Sequence, residues 1–406
     1  MSDPVVRRLD RVIEVGMWTL AIAAPLSAFV LQIAALGVPL AWLARVWRTG
    51  GLRTVRLPLL WPMLAFLAAT GLSAAFAVDT WEALREVRSA WVFPLLFWAS
   101  VDRLGPVEAA GRRLIALIAA GSLTAAYGIG QTAVLGIEHR AIGFQTNWMT
   151  FSEILVMIIA VGLAGMLARP NRYLGLWLAG AVVLMVAGVV LSQTRGAWIA
   201  LAAATLLVLW SWRRWAVLIL PVVALVVAVS IPEPLQARWT GIVDGTDVTV
   251  RERVYLWRAG GKMLREHPVL GVGPGNPAEL HEVYKEPDDP WLPDRRLGHL
   301  HSNLFEIAAG SGLLGLVTWG SIWVVFLYDR LRVYRRLERS NRSGRALALS
   351  GLAAVIAFLV AGLTEYTFGD SEVLYLTTWL MALPYVAESY NPGRASESRG
   401  QTGARA

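Results

Sequence analysis

Cysteine is absent from all 406 residues, so neither disulfides nor thiolate chemistry is open to this chain. Charge is scarce as well: 16% of residues are charged and 56% are hydrophobic, too little charge to cover a water-soluble domain of this length. No segment alternates apolar and polar residues as the strands of a membrane barrel do, which leaves helices as the way to satisfy backbone groups in lipid. No HExxH pair occurs. The glycine-dense stretch HPVLGVGPGN (267–276) is followed by neither a strand–helix pattern nor Lys-Ser/Thr, so it reads as a structural turn and not a nucleotide loop. The opening MSDPVVRRLDRVIEV has no short apolar core with a small-residue cleavage site and reads as the start of an uncleaved helix. There is no convincing internal repeat, which counts against the repeat-built transporter folds.

What the chain has is a succession of apolar runs, each about 20 residues, the length that crosses a bilayer as a helix. Residues 13–47 read as a helical hairpin interrupted by Pro25 and Gly37, followed by spans at about 57–77, 89–101, 114–134, 149–168, 174–192, 196–211 and 215–231. A polar region follows at 232–300, then spans at about 302–327, 346–364 and 371–387. The expected architecture is an all-α polytopic membrane protein of about twelve transmembrane helices. Spans one to nine occupy 1–231, a large outer loop 232–300, spans ten to twelve 301–388, and a disordered polar tail 389–406. The net charge of +8 is almost all arginine, and the arginines gather in the links after spans two, four, six, eight and ten. The positive-inside rule then places both termini in the cytoplasm, and topology accounts for the basic charge better than nucleic-acid binding does.

That topology puts all five histidines on the outer side, together with Glu153, Arg195, Glu306, Glu365 and Asp370 at helix ends. Ionisable groups at membrane depth are costly and usually face a cavity or a partner. The set points to one outward-facing polar cavity, against the alternative that each group snorkels to water. Arg195, after an uncharged span, offers a planar fork suited to phosphate oxygens, or with Trp198 serves as an interfacial anchor. His301 sits where a polar loop becomes an apolar helix. It is a candidate general base for a hydroxyl, with helix capping as the alternative. In the outer loop, TVRERVYLWRAGGKMLREHP reads as an amphipathic helix, with Val254, Trp257 and Leu264 at helical spacing and Arg253 one turn before Trp257. The histidine segments lack metal-ligand spacing, because His299 and His301 at i, i+2 would not share a helix face. Asp288-Asp289 is a weak divalent-ion signal, and no metal site is expected.

Three landmarks together resemble the O-antigen ligase family: RGAW after span seven, RERVYLW with HPVLGVGPGN in the outer loop, and His301-Ser302 followed nine residues later by Gly312-Leu-Leu-Gly315. The resemblance implies a glycosyltransferase of GT-C-like architecture in the bacterial inner membrane, with a periplasmic active site. Its members transfer a preassembled glycan from undecaprenyl pyrophosphate to lipid A-core, with no nucleotide, metal or other cofactor. By that likeness His301 is the base, and Arg195 and Arg253 bind the donor pyrophosphate, with Arg265 the rival loop arginine. Glu306 and Glu365 are supporting residues. The chain departs from the family where AAGSG replaces an Ala-Glu-x-Gly ending, so Gly310 stands in place of a glutamate and the residue that orients His301 is open. The expected partners are the lipid-linked glycan, lipid A-core and membrane lipids. The alternatives are an O-antigen polymerase, a protein O-oligosaccharyltransferase or a lipid-linked sugar transporter.

Overall fold

The computed structural model describes residues 3–168, 171–218, 248–289 and 298–389. Among these residues every regular element is a helix. The first eight α-helices are α1 (Pro4–Ala23), α2 (Ala28–Arg48), α3 (Leu60–Ala75), α4 (Thr80–Arg103), α5 (Val107–Leu135), α6 (Trp148–Met166), α7 (Arg172–Leu191) and α8 (Arg195–Trp212). After α9 (Val248–Glu266) and α10 (Asn276–Tyr284), which lie in the polar region, come α11 (Asn303–Arg336), α12 (Arg342–Ala361), α13 (Ser371–Met381) and α14 (Leu383–Ser389). Seven of the described helices (α2, α5, α6, α7, α8, α11 and α12) are long and apolar enough to cross a membrane. The shorter apolar helix α3 and the more charged α1 and α4 fall short of that measure. The expected span at 215–231 lies outside the described residues, apart from 215–218, which belong to a short 3-10 turn.

Local chemistry sets the helix ends. Ser27 caps α2, so the first hairpin turns at 24–27 beside Pro25, while Gly37 stays inside α2 and does not interrupt it. Asp79 accepts from the backbone N–H of Trp81 and Glu82, which starts α4 about two turns before the expected span and makes the mixed-charge stretch helical. Asn147 and Asp370 cap α6 and α13 in the same way. Helices α6 and α12 are buried on nearly all sides and form the centre of the bundle. At one end of it, arginines of the basic links meet carboxylates: Arg45 and Arg103 contact Asp10 at 2.7 and 2.6 Å, and Arg330 and Arg56 contact Glu388 at 2.9 and 2.8 Å. The polar helix ends expected on the outer side gather at the other end.

The glycines of HPVLGVGPGN find their reason in α11. At Gly312 (φ 65°, ψ −169°) that helix breaks, and the turn 268–273 docks into the break through backbone hydrogen bonds. Val272 and Gly273 donate to Ala309 and Gly310 carbonyls at 2.9 Å each, and Leu313 donates to Pro268 at 2.9 Å. A Cβ on Gly312 would lie 2.2 Å from the Val269 carbonyl oxygen, and one on Gly271 2.4 Å from that of Ala309. Two glycine-rich segments about forty residues apart are therefore one packed unit. The Ser73 hydroxyl at the end of α3 donates to the Leu270 carbonyl at 2.6 Å and ties that unit to the bundle.

Helix α9 forms as the loop pattern predicts, but its buried face is Leu256, Ala259, Gly260 and Met263. Val254 is exposed, so the expected stripe is wrong in phase by about half a turn.

Candidate active site

His301 is placed by the loop 298–302 that enters α11. The loop is held on three sides: Trp257 Nε1 donates to the Leu300 carbonyl at 3.1 Å, Leu300 N–H donates to Glu306 Oε2 at 2.6 Å, and Asn303 N–H donates to the Gly362 carbonyl at 2.8 Å. The Asn303 side chain then locks the turn after α12, donating to Thr367 Oγ1 at 2.8 Å and accepting from Phe368 N–H at 3.0 Å. In this frame His301 takes a left-handed backbone conformation (φ 51°), which non-glycine residues adopt at a cost and which clusters at functional sites. The turn folds its ring against that of His299, with centroids 4.4 Å apart.

The turn after α12 supplies the partner. His301 Nδ1 lies 2.9 and 3.1 Å from the two carboxylate oxygens of Glu365. A carboxylate so close is an acceptor, so the proton belongs on Nδ1, and Nε2 is left with its lone pair. The same carboxylate lies 3.4 Å from Arg253 Nη2 and 3.4 Å from His299 Nε2, and accepts from the Tyr366 N–H at 3.3 Å. Burial pushes the Glu365 carboxyl up, but the His301 hydrogen bond, the two imidazoles and the Arg253 guanidinium around it outweigh that and hold it below the ordinary carboxylate value. Burial drives the His299 imidazole the other way, to about 4. Nearby Glu365 opposes that shift, and His301 and Arg253 add to it. Glu365 is thus the charged hub of the site, and His299 is neutral at neutral pH.

His299, His301, Glu365 and Tyr366 border a cavity of about 290 Å³ that reaches α6 and α13, with Glu86, Asn147, Thr150, Glu153 and Asp370 also in its wall. Tyr366 closes one side and donates its hydroxyl to Glu86 at 3.0 Å. Arg195 stands at the first residue of α8. The next residue, Gly196, packs so tightly that a Cβ there would lie 2.5 Å from Thr364 Oγ1, so the turn carrying Arg195 abuts the one carrying Glu365.

The structure therefore brings His301, Glu365 and Arg253 together and sets Arg195 beside them. Arg265 is apart from them: it is exposed in the last turn of α9, with its Cα about 18 Å along the helix from that of Arg253. Glu306 is buried and holds the loop through Leu300, and the contact that orients His301 comes from Glu365. Gly310 lies against the backbone of Pro274, where a Cβ would be 3.2 Å from its Cα, so the position that carries a glutamate in the resembled motif is here filled by the docked turn. His281 is buried against Asp289 at 3.1 Å, while His139 and His267 are exposed.

His299 was not singled out from sequence, and the argument that i, i+2 histidines do not meet applies only to helices. Ligand atoms of His299, His301 and Glu365 lie within 4.8 Å of one another, a spacing that a metal ion could also use.

Comparison with known proteins bears out the family likeness read from the motifs. Residues 180–320 match the model of the family described as O-antigen ligase. That stretch contains Arg195, Arg253, Arg265, Glu306 and His301, and Glu365 lies beyond it. A second likeness is to the exopolysaccharide production protein ExoQ of Rhizobium meliloti (strain 1021), 28% identical over 148 residues. The match spans 34% of this chain and 33% of that protein.

Proposed function

We propose that the chain is a membrane glycosyltransferase of the O-antigen ligase type, moving a preassembled glycan from undecaprenyl pyrophosphate to a sugar hydroxyl of lipid A-core on the periplasmic side of the inner membrane. The observation that carries this reading is the His301 imidazole bonded through Nδ1 to a buried carboxylate that an arginine also touches. A base whose other nitrogen is anchored has one task left, which is to take a proton at Nε2.

In this reading the acceptor hydroxyl gives its proton to His301 Nε2 as its oxygen attacks the anomeric carbon. The bond from that carbon to the pyrophosphate oxygen breaks, and the pyrophosphate leaves with the electron pair. Glu365 stabilises the imidazolium, while Arg253 and Arg195 stabilise charge on the leaving group. Direct displacement inverts the anomeric centre, and pyrophosphate is a good enough leaving group for a metal-free route. About twelve spans, with the histidine end periplasmic and both termini cytoplasmic, fit the arginine-rich opposite end.

The name of the matched exopolysaccharide production protein favours a second reading, in which the acceptor is a growing exopolysaccharide and the site is that of a polymerase. Purified protein given a lipid-linked glycan and lipid A-core in EDTA separates them. A ladder on lipid A-core, lost in His301→Ala, is the expected result. Elongated glycan without a ladder selects the polymerase, and transfer abolished by EDTA and restored by a divalent metal contradicts the metal-free route.

A further inference from the structure

At the end of the bundle away from His301, the last turns of α6 and α8 and the start of α12 border a cavity of about 720 Å³. None of the chemistry above uses it. Its wall has two halves. Leu163 and Met166 of α6, Val208 and Leu209 of α8 and Leu349 of α12 make one half apolar. Arg339, Arg342 and Arg345 make the other half basic.

Elsewhere at this end the arginines meet carboxylates: Arg45 and Arg103 contact Asp10, and Arg56 and Arg330 contact Glu388. Here they do not. Arg345 is half-buried and fixed, yet its partners are neutral. Its Nη1 donates to the Leu337 and Tyr334 carbonyls at 3.0 and 3.3 Å, and its Nη2 to the Tyr334 hydroxyl at 2.9 Å. Glu338, in the link before α12, accepts from the Ser340 hydroxyl at 2.9 Å. Among the described residues no carboxylate lines the cavity. A guanidinium keeps its charge in such a wall, and the charge is best met by an anion in the cavity.

Depth decides what carries that anion. Trp210 and Trp212 at the end of α8 are exposed, as residues at the headgroup level of a membrane are. Leu349 stands about one turn deeper than Arg345 along α12, and Val208 about one turn deeper than Trp212 along α8. The basic half is therefore at headgroup level and the apolar half lies towards the hydrocarbon. A soluble anion would leave the apolar half unused, and a zwitterionic lipid would bring a cation of its own to the arginines.

We propose that this cavity binds an acidic phospholipid of that leaflet, of the phosphatidylglycerol class. Its phosphate lies among Arg339, Arg342 and Arg345, and the start of an acyl chain lies between α6 and α8. Basic pockets between membrane helices suit such headgroups. A lipid held there joins three helix ends and stabilises the folded chain. It lies at the opposite end from His301, so its binding does not depend on the transferase reading.

The test follows the melting temperature of the purified full chain, freed of lipid in detergent, as dioleoylphosphatidylglycerol is added. Dioleoylphosphatidylcholine, with the same chains, and inorganic phosphate, with none, are the comparison probes. A saturating rise with phosphatidylglycerol alone is expected. Arg339→Gln combined with Arg342→Gln should weaken binding about thirtyfold, the loss expected for two basic groups at an anionic headgroup. Both residues are exposed, and the melting temperature without lipid checks that the variant folds. Arg335→Gln combined with Arg336→Gln removes the same charge from the last turn of α11, outside the cavity wall, and should bind within about twofold of wild type. Equal weakening by the two pairs would show diffuse attraction and overturn the site. An equal rise with phosphatidylcholine or with phosphate, or unchanged binding in the Arg339 and Arg342 variant, overturns it as well.

Discussion

His301 and Glu365 are 64 positions apart in the chain and 2.9 Å apart in space, and the chemistry assigned to the first depends on the second. Replacing Glu365 with glutamine keeps the shape but removes the charge that fixes the imidazole tautomer and stabilises its protonated form. A fall in kcat of roughly 10²-fold or more is expected, by analogy with the amide variant of a catalytic triad. Steady-state transfer with equal protein recovery checks it. His299 makes a separate prediction. Unfolded, an imidazole takes its proton near 6.5; in the folded site His299 does not until about 4. Between those values the unfolded chain binds more protons. Stability is thus fully present above 6.5 and declines as pH falls towards 4. Thermal unfolding in detergent at pH 7 and pH 4.5 should show a smaller loss for His299→Gln than for wild type, and an equal loss would contradict the assignment. His301 and Arg195 stand out in the sequence as ionisable groups at apolar helix ends, whereas Arg253 and Arg265 are marked only by an amphipathic stretch and the family likeness. The role of Glu365 was not legible, because hydrogen bonding across a turn leaves no spacing to read.

At the scale of elements, the break in α11 ties the turn 268–273 to the bundle. Gly312→Ala would put a methyl group 2.2 Å from a carbonyl oxygen at a backbone conformation that only glycine takes readily. A loss of about 3 kcal/mol or more is expected, seen as a drop in melting temperature and as released protection of 268–273 in hydrogen exchange. Two segments had been read apart from sequence, one as an uninterrupted span and the other as a bare turn. Glycine spacing alone does not say which backbone will approach another. The phase of α9 was missed for a related reason: Leu256 and Met263 bury against the His301 loop, a partner that periodicity cannot locate. The same helix separates the rival arginines. Arg253→Ala should reduce transfer by 10-fold or more, the cost of leaving a developing negative charge without its donor, whereas Arg265→Ala should stay within about twofold. Reversal of that order would move the pyrophosphate site outward.

Across the whole molecule, the sequence carried the helical class and the segregation of charge. Arginines meet carboxylates at one end of the bundle, and histidines and cavity-lining acids gather at the other. Alternating helix direction forces that separation on any chain whose basic links recur every second span. The span count is less readable, since α1 and α4 carry charge along helices that pack into the same core. The reaction belongs to the whole assembly, because α9, the entry to α11 and the turn after α12 each supply one member of the cluster. The most direct measurement is a single turnover of lipid-linked glycan by purified wild type and His301→Asn, since asparagine tolerates the left-handed backbone and can still reach Glu365. The account predicts covalent transfer by the wild type and a rate at least about 10²-fold lower in the variant, with the fold retained. Transfer by His301→Asn at the wild-type rate would contradict it.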